Sequence, residues 1–113
     1  MALSHPLPDP IVELIARRFR VLGEPVRIRL LERLRRGDAT VTELTLVTGT
    51  SQQNVSKHLG VLLDAGIVQR EKRGTASVYA IKDEAIFTLC EQVCGSVERQ
   101  LSELGGLLAT SRG

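Results

Sequence analysis

Between Thr40 and Ile81 the chain changes periodicity in an order that few folds accommodate: helix, glycine turn, helix, hairpin. Thr40-Val41-Thr42-Glu43 has the spacing of a capping box, in which a Thr hydroxyl takes the N–H three residues on and the Glu reaches back. The short helix this starts, with Leu44 and Val47 on one side, is broken by Gly49. Ser51 can cap the next helix, Gln52 to Leu63, whose Val55, Leu59, Leu62 and Leu63 recur at helical spacing. Its opposite face carries Gln52, Gln53, Ser56 and Lys57, side chains suited to base edges in a major groove. Asp64-Ala65-Gly66 ends the helix, with Gly66 available for a left-handed cap. Ile67–Lys72 and Ser77–Ile81 then alternate as two strands around an Arg73-Gly74-Thr75 tip. Arg70, Lys72 and Arg73 on such a hairpin can hold sugar-phosphate backbone, which positions a protein without specifying sequence.

Two segments in this order resemble a known family. Ser51-Gln52-Gln53-Asn54-Val55-Ser56-Lys57-His58-Leu59, continuing to Ala65-Gly66-Ile67-Val68, is similar to the recognition segment of the ArsR/SmtB-type winged-helix repressors. Leu22-Gly23-Glu24-Pro25-Val26-Arg27-Ile28-Arg29-Leu30-Leu31 resembles that family's earlier L-x-[DE]-P-x-R element. The likeness covers roughly residues 19–81. It implies a mainly α fold with a small β-hairpin (α+β), a winged helix-turn-helix that dimerises through its N- and C-terminal helices. It further implies a repressor that binds a palindromic operator in double-stranded DNA as a homodimer, and no enzyme. Ser51, Gln52, Gln53, Ser56, Lys57, His58, Arg70, Lys72, Arg73 and Arg27 are the residues expected at DNA. For Arg27 a phosphate contact competes with pairing to a nearby carboxylate. For His58 a phosphate contact competes with packing at the core's edge and a backbone hydrogen bond.

The flanks are organised around this centre. Residues 1–10 hold Pro6, Pro8 and Pro10 and read as a flexible N-terminal arm, followed by a single domain over 11–113. Ile11, Leu14, Ile15, Phe19 and Leu22 make one apolar face of a helix. A second helix runs from Pro25 to about Arg36, with Ile28, Leu31 and Leu34 toward the core. A last helix from Glu84 to Leu108 carries Ile86, Leu89, Cys90, Val93, Val97, Leu101, Leu104 and Leu108. That stripe is longer than one small domain needs, which marks a subunit interface. Gly105-Gly106 should weaken its end and Thr110–Gly113 should fray.

The net charge of +2 does not by itself argue for nucleic acid, but its distribution does: arginines crowd residues 17–36 while the last helix is acidic. Aromatics at 3% argue against the stacking platforms that grip single strands. The N-terminus shows no secretory signal pattern and no apolar run reaches bilayer length, so a cytoplasmic chain with reduced thiols is expected, without a membrane partner. Cys90 and Cys94 share a face, four residues apart. They pack in the dimer seam, or take a thiophilic metal with a ligand such as His5 or Glu91, or switch by oxidation. No Cys-x-x-Cys and no neighbouring His supports a thiol enzyme. Arsenic- and cadmium-sensing relatives of this type often carry a C-V-C-type motif where this chain has Thr40-Val41-Thr42-Glu43-Leu44. Zinc-sensing ones usually carry Asp and His pairs on the last helix; Asp83 fits, but Ala85, Ser96 and Arg99 do not. No cofactor is certain, and the effector stays open: nickel, zinc, a thiophilic metal, a thiol reaction, or none. A winged-helix protein-interaction module without sequence-specific DNA binding is the alternative.

Overall fold

The computed structural model describes residues 3–112, with side chains described as far as residue 106. The chain divides after Lys82 into two compact units.

Helix α1 (Asp9–Leu22) begins two residues before the expected start at Ile11. Pro10 sits in its first turn, where a missing N–H loses no intrahelical bond, and Asp9 complements the helix dipole there. No α1 residue is fully buried; Leu14, Ile15 and Phe19 are exposed. Helix α2 (Pro25–Leu34) is capped by Glu24, whose side chain accepts from the Arg27 N–H at 3.0 Å. It stops at Leu34 instead of Arg36, and its buried residues are Leu30, Leu31 and Leu34. Ile28 is 52% exposed, while Leu30, which the sequence reading did not assign to the core, is fully buried.

Strand β1 (Ala39–Thr40) has no counterpart in the sequence reading, since two residues are too few to show a period. Thr40 then caps α3 (Val41–Thr48). The capping box forms in full: Glu43 N–H donates to Thr40 Oγ1 at 3.2 Å and Thr40 N–H donates to Glu43 Oε1 at 3.0 Å. The Thr40 N–H, then its hydroxyl, and Arg33 3.6 Å away hold the Glu43 carboxyl below its ordinary value. A carboxyl with a depressed folded value contributes stability above its unfolded pKa and loses it as pH falls through the folded value. Thr40→Ala removes the hydroxyl that accepts from the Glu43 N–H and should cost about 1 kcal/mol through the lost cap. The reciprocal bond runs from the Thr40 backbone N–H to the Glu43 carboxylate, so Glu43→Ala is the variant whose gap to wild type should narrow as acid protonates Glu43; chemical unfolding at several pH values would show it, and a gap constant with pH would contradict the bond.

Leu44 is the buried anchor of α3, whereas Val47 is exposed. Gly49 turns the chain with φ 69°, a left-handed geometry that glycine adopts without a Cβ clash. Helix α4 (Gln52–Asp64) follows, with Val55, Leu59 and Leu62 fully buried. Strands β2 (Val68–Arg73) and β3 (Ala76–Ile81) pair antiparallel, Val68 opposite Ile81 and Arg73 opposite Ala76. Gly74 (φ 65°) fills the first central position of the two-residue turn, as a type II′ hairpin requires, so Arg73 ends the strand rather than forming the tip. The sheet order is β1-β3-β2, with Thr40 opposite Val78. Helix α5 (Glu84–Arg112) continues through Gly105 and Gly106 and past the expected fraying point. The Leu108 side chain lies outside the described residues, as do Met1 and Gly113.

Candidate nucleic-acid interface

The first turn of α4 presents its polar face to solvent. Ser51, Gln52, Gln53, Ser56 and Lys57 are all exposed, while Val55, His58 and Leu59 between them are buried. Helical period alone gives this division: 52, 53, 56 and 57 fall on one side and 55, 59 and 62 on the other. Ser51 Oγ accepts from the Asn54 N–H at 3.1 Å, and Asn54 Nδ2 donates to Thr50 Oγ1 at 3.1 Å. The start of the helix is thus fixed by side chains of its own turn, with four polar side chains left facing outward. The remaining N–H groups there are suited to phosphate, as at other helix N-termini.

His58 and Arg27 do not join that surface. His58 is only 8% exposed. Its Nδ1 lies 3.3 Å from Arg27 Nη1 and 3.6 Å from Glu24 Oε2. Arg27 Nε donates to the Val21 carbonyl at 2.7 Å. An arginine donor requires Nδ1 to accept, which puts the ring proton of the neutral form on Nε2. Both side chains therefore have partners inside the chain. The His packs as one reading had it, but its partners are side chains and not backbone. The two sequence segments that carried the family resemblance meet here: Glu24 and Arg27 come from one, His58 from the other. Glu24 was missed as a site residue, though a Glu directly before Pro25 at a helix start was the signal for it.

The wing cations divide. Side chains alternate along a strand, so Arg70 and Lys72 share the face of Val68 while Glu71 and Arg73 take the other. Arg73 Nη2 donates to Asp38 Oδ2 and Glu71 Oε2, each at 3.3 Å. Arg70 and Lys72 therefore lie on one face of the strand and Arg73 on the other, where it pairs with two exposed carboxylates. Asp38, just before β1, was not foreseen, because its partner is distant in sequence.

A helix-turn-helix domain family model matches residues 22–71. The HTH-type transcriptional regulator Rv0081 of Mycobacterium tuberculosis is 35% identical over 105 residues, covering 92% of each chain. The chain belongs to the ArsR/SmtB family. The ArsR/SmtB chain and the crystal structure of Rv0081 superpose with a TM-score of 0.78 at 36% identity, over 85% of this chain and 97% of that one. The arsenical resistance operon repressor of Bacillus subtilis is 34% identical over 79 residues, 68% of this chain and 75% of that protein. The homodimeric winged helix-turn-helix domain of a possible ArsR-family regulator from Mycobacterium bovis shares the fold, with a TM-score of 0.77 at 23% identity over 88% of this chain and 95% of that one. This ArsR/SmtB member is a DNA-binding transcriptional regulator, and its winged helix-turn-helix is the fold expected from sequence.

No group of three or more His, Cys, Asp or Glu side chains that could hold an ion occurs among the described residues. His5 is exposed ahead of α1, and Cys90 and Cys94 are thiols on α5. No helix among the described residues is long and apolar enough to cross a membrane.

Proposed function

We propose that the chain is a cytoplasmic repressor that binds a two-fold operator as a homodimer, with one α4 in each of two successive major grooves. The observation that carries this reading is the outward polar face of α4 on a turn already fixed by its own caps. Gln52, Gln53, Ser56 and Lys57 meet base edges, and Arg70, Lys72 and the Ser51 turn hold phosphates. Arg27 and His58 set the recognition helix from within.

Two apolar surfaces support the dimer. Val93, Val97, Leu101 and Leu104 form a stripe along α5, each 47–60% exposed. In the winged unit, Leu14 and Ile15 of α1 border an open groove of about 630 Å³ that reaches Val61 and Ala65. Contiguous exposed apolar surface of this kind marks an interface. The M. bovis domain of the same fold is a homodimer. The reading includes an effector that acts on the dimer, and the name of the B. subtilis relative points to thiophilic chemistry.

Operator binding measured over a range of salt tests the assignment. Phosphate contacts make log affinity fall with log salt, by about one unit of slope per contact. Lys72→Ala should weaken all sequences alike and lower that slope by about one, whereas Arg73→Ala should change it less. Gln53→Ala should instead alter the preferred operator, by about 1–3 kcal/mol at the base it reads. Unchanged preference in Gln53→Ala, or a sequence-selective loss in Lys72→Ala, would overturn the assignment.

A further inference from the structure

The recognition helix ends on a carbonyl that its own last turn does not serve. The final carbonyls of a helix lack an intrahelical donor, and a basic residue nearby is the usual partner. The last turn of α4 holds no basic residue; Asp64 stands there instead, the wrong charge for the negative end of the helix dipole. The donor comes from α1. Arg18 Nη1 donates to the carbonyl of Ala65, the C-cap of α4, at 3.0 Å. Arg18 is half-buried, and with Ala65 it lines the open groove between α1 and the last turn of α4, so the bond joins the two walls. A second tie lies nearer the start of α4. Arg27 donates to the Val21 carbonyl of α1 at 2.7 Å, and its Nη1 stands 3.3 Å from His58 Nδ1.

His58 and Ala65 are separated by about 10 Å along the helix axis. Two ties at that separation fix direction as well as distance. With one tie alone α1 can rock about it, and a slip of about 1 Å at the free end is about 6° over that lever. The same α1 exposes Val12, Leu14, Ile15 and Phe19, the apolar side chains that meet the partner subunit in the dimeric repressor reading. The angle between α1 and α4 then decides how far apart, and how turned, two reading helices stand. We propose that Arg18 is a positioning residue for operator recognition: by holding the carbonyl end of α4 it locks the reading helix to α1 and sets the half-site spacing that the dimer accepts. This role in spacing rests on the dimeric repressor reading.

The test uses the full-length protein and a duplex that the wild type selects from a random pool. Two further duplexes add or remove one base pair between the half-sites, which moves one site by about 3.4 Å and turns it by about 35°. A fourth carries one half-site. Wild type should lose about 10-fold or more on the shifted duplexes, because avidity requires both half-sites to be engaged together. Arg18→Ala should stay dimeric, bind the single half-site within about 3-fold of wild type, and lose less than about 3-fold on shifting. Arg18→Met keeps an apolar arm along the groove but no donor, and should behave as the alanine variant does. Either variant discriminating between spacings as wild type does would overturn the proposal. So would single half-site affinity falling in step with affinity for the selected duplex, the mark of a helix that is merely misformed. A wild type that ignores the shift defeats the two-fold operator reading and this role with it. A wild type that discriminates, with variants that discriminate equally, defeats the role of Arg18 alone.

Discussion

Glutamate at both Val97 and Leu101 should leave the chain folded but monomeric, and weaken operator binding by about 100-fold or more. The magnitude follows from valency. Each α4 holds one half-site, and two half-sites bound by one dimer gain a factor of about 10²–10⁴ over either alone. Both positions are exposed in the isolated chain, at 47% and 60%, so charge there disturbs little of the chain's own core. Between two copies it would place four carboxylates in an apolar seam, where unpaired charge is costly. Sedimentation gives the mass, circular dichroism the helix content, and anisotropy the DNA affinity. A double variant that stays dimeric and binds as wild type would remove α5 from the interface.

Arg27→Ala should lower stability by about 1–3 kcal/mol, the usual cost of leaving buried hydrogen-bonding groups without a partner. The Val21 carbonyl loses its donor at 2.7 Å, and His58 Nδ1 loses one at 3.3 Å. In a domain this small, each 1 kcal/mol shifts the melting temperature by about 4–8 °C. Arg27→Lys should restore only part, because an ammonium cannot address the carbonyl and the imidazole with a planar fork. A phosphate contact would give a different signature: an unchanged melting temperature and a salt slope lower by about one. Those two measurements on the same variant separate the internal role from the DNA role.

The sequence exposed what local chemistry decides and little of what tertiary neighbours decide. The capping box at Thr40, the left-handed glycines and the face of α4 were legible because each depends on residues within one turn. Glu24 with His58 and Arg73 with Asp38 were not legible as pairs, since nothing local couples residues that far apart. Ile28 was misplaced for a related reason: on a three-turn helix, several positions fit the period, and the packing partner chooses among them. The apolar stripe of α5 was legible as a surplus, and it stays exposed in the single chain from Val93 to Leu104.

Thr40 closes β1 opposite Val78 of the hairpin and, with the same residue, caps α3. Between the sheet and the first helix of the reading pair there is consequently no slack: one peptide serves both. Tilting the wing alone would tear either the ladder or the cap. A signal that loosens the protein's hold on an operator must then swing the whole DNA-reading body as a rigid piece, changing the distance between two such bodies rather than the shape of either.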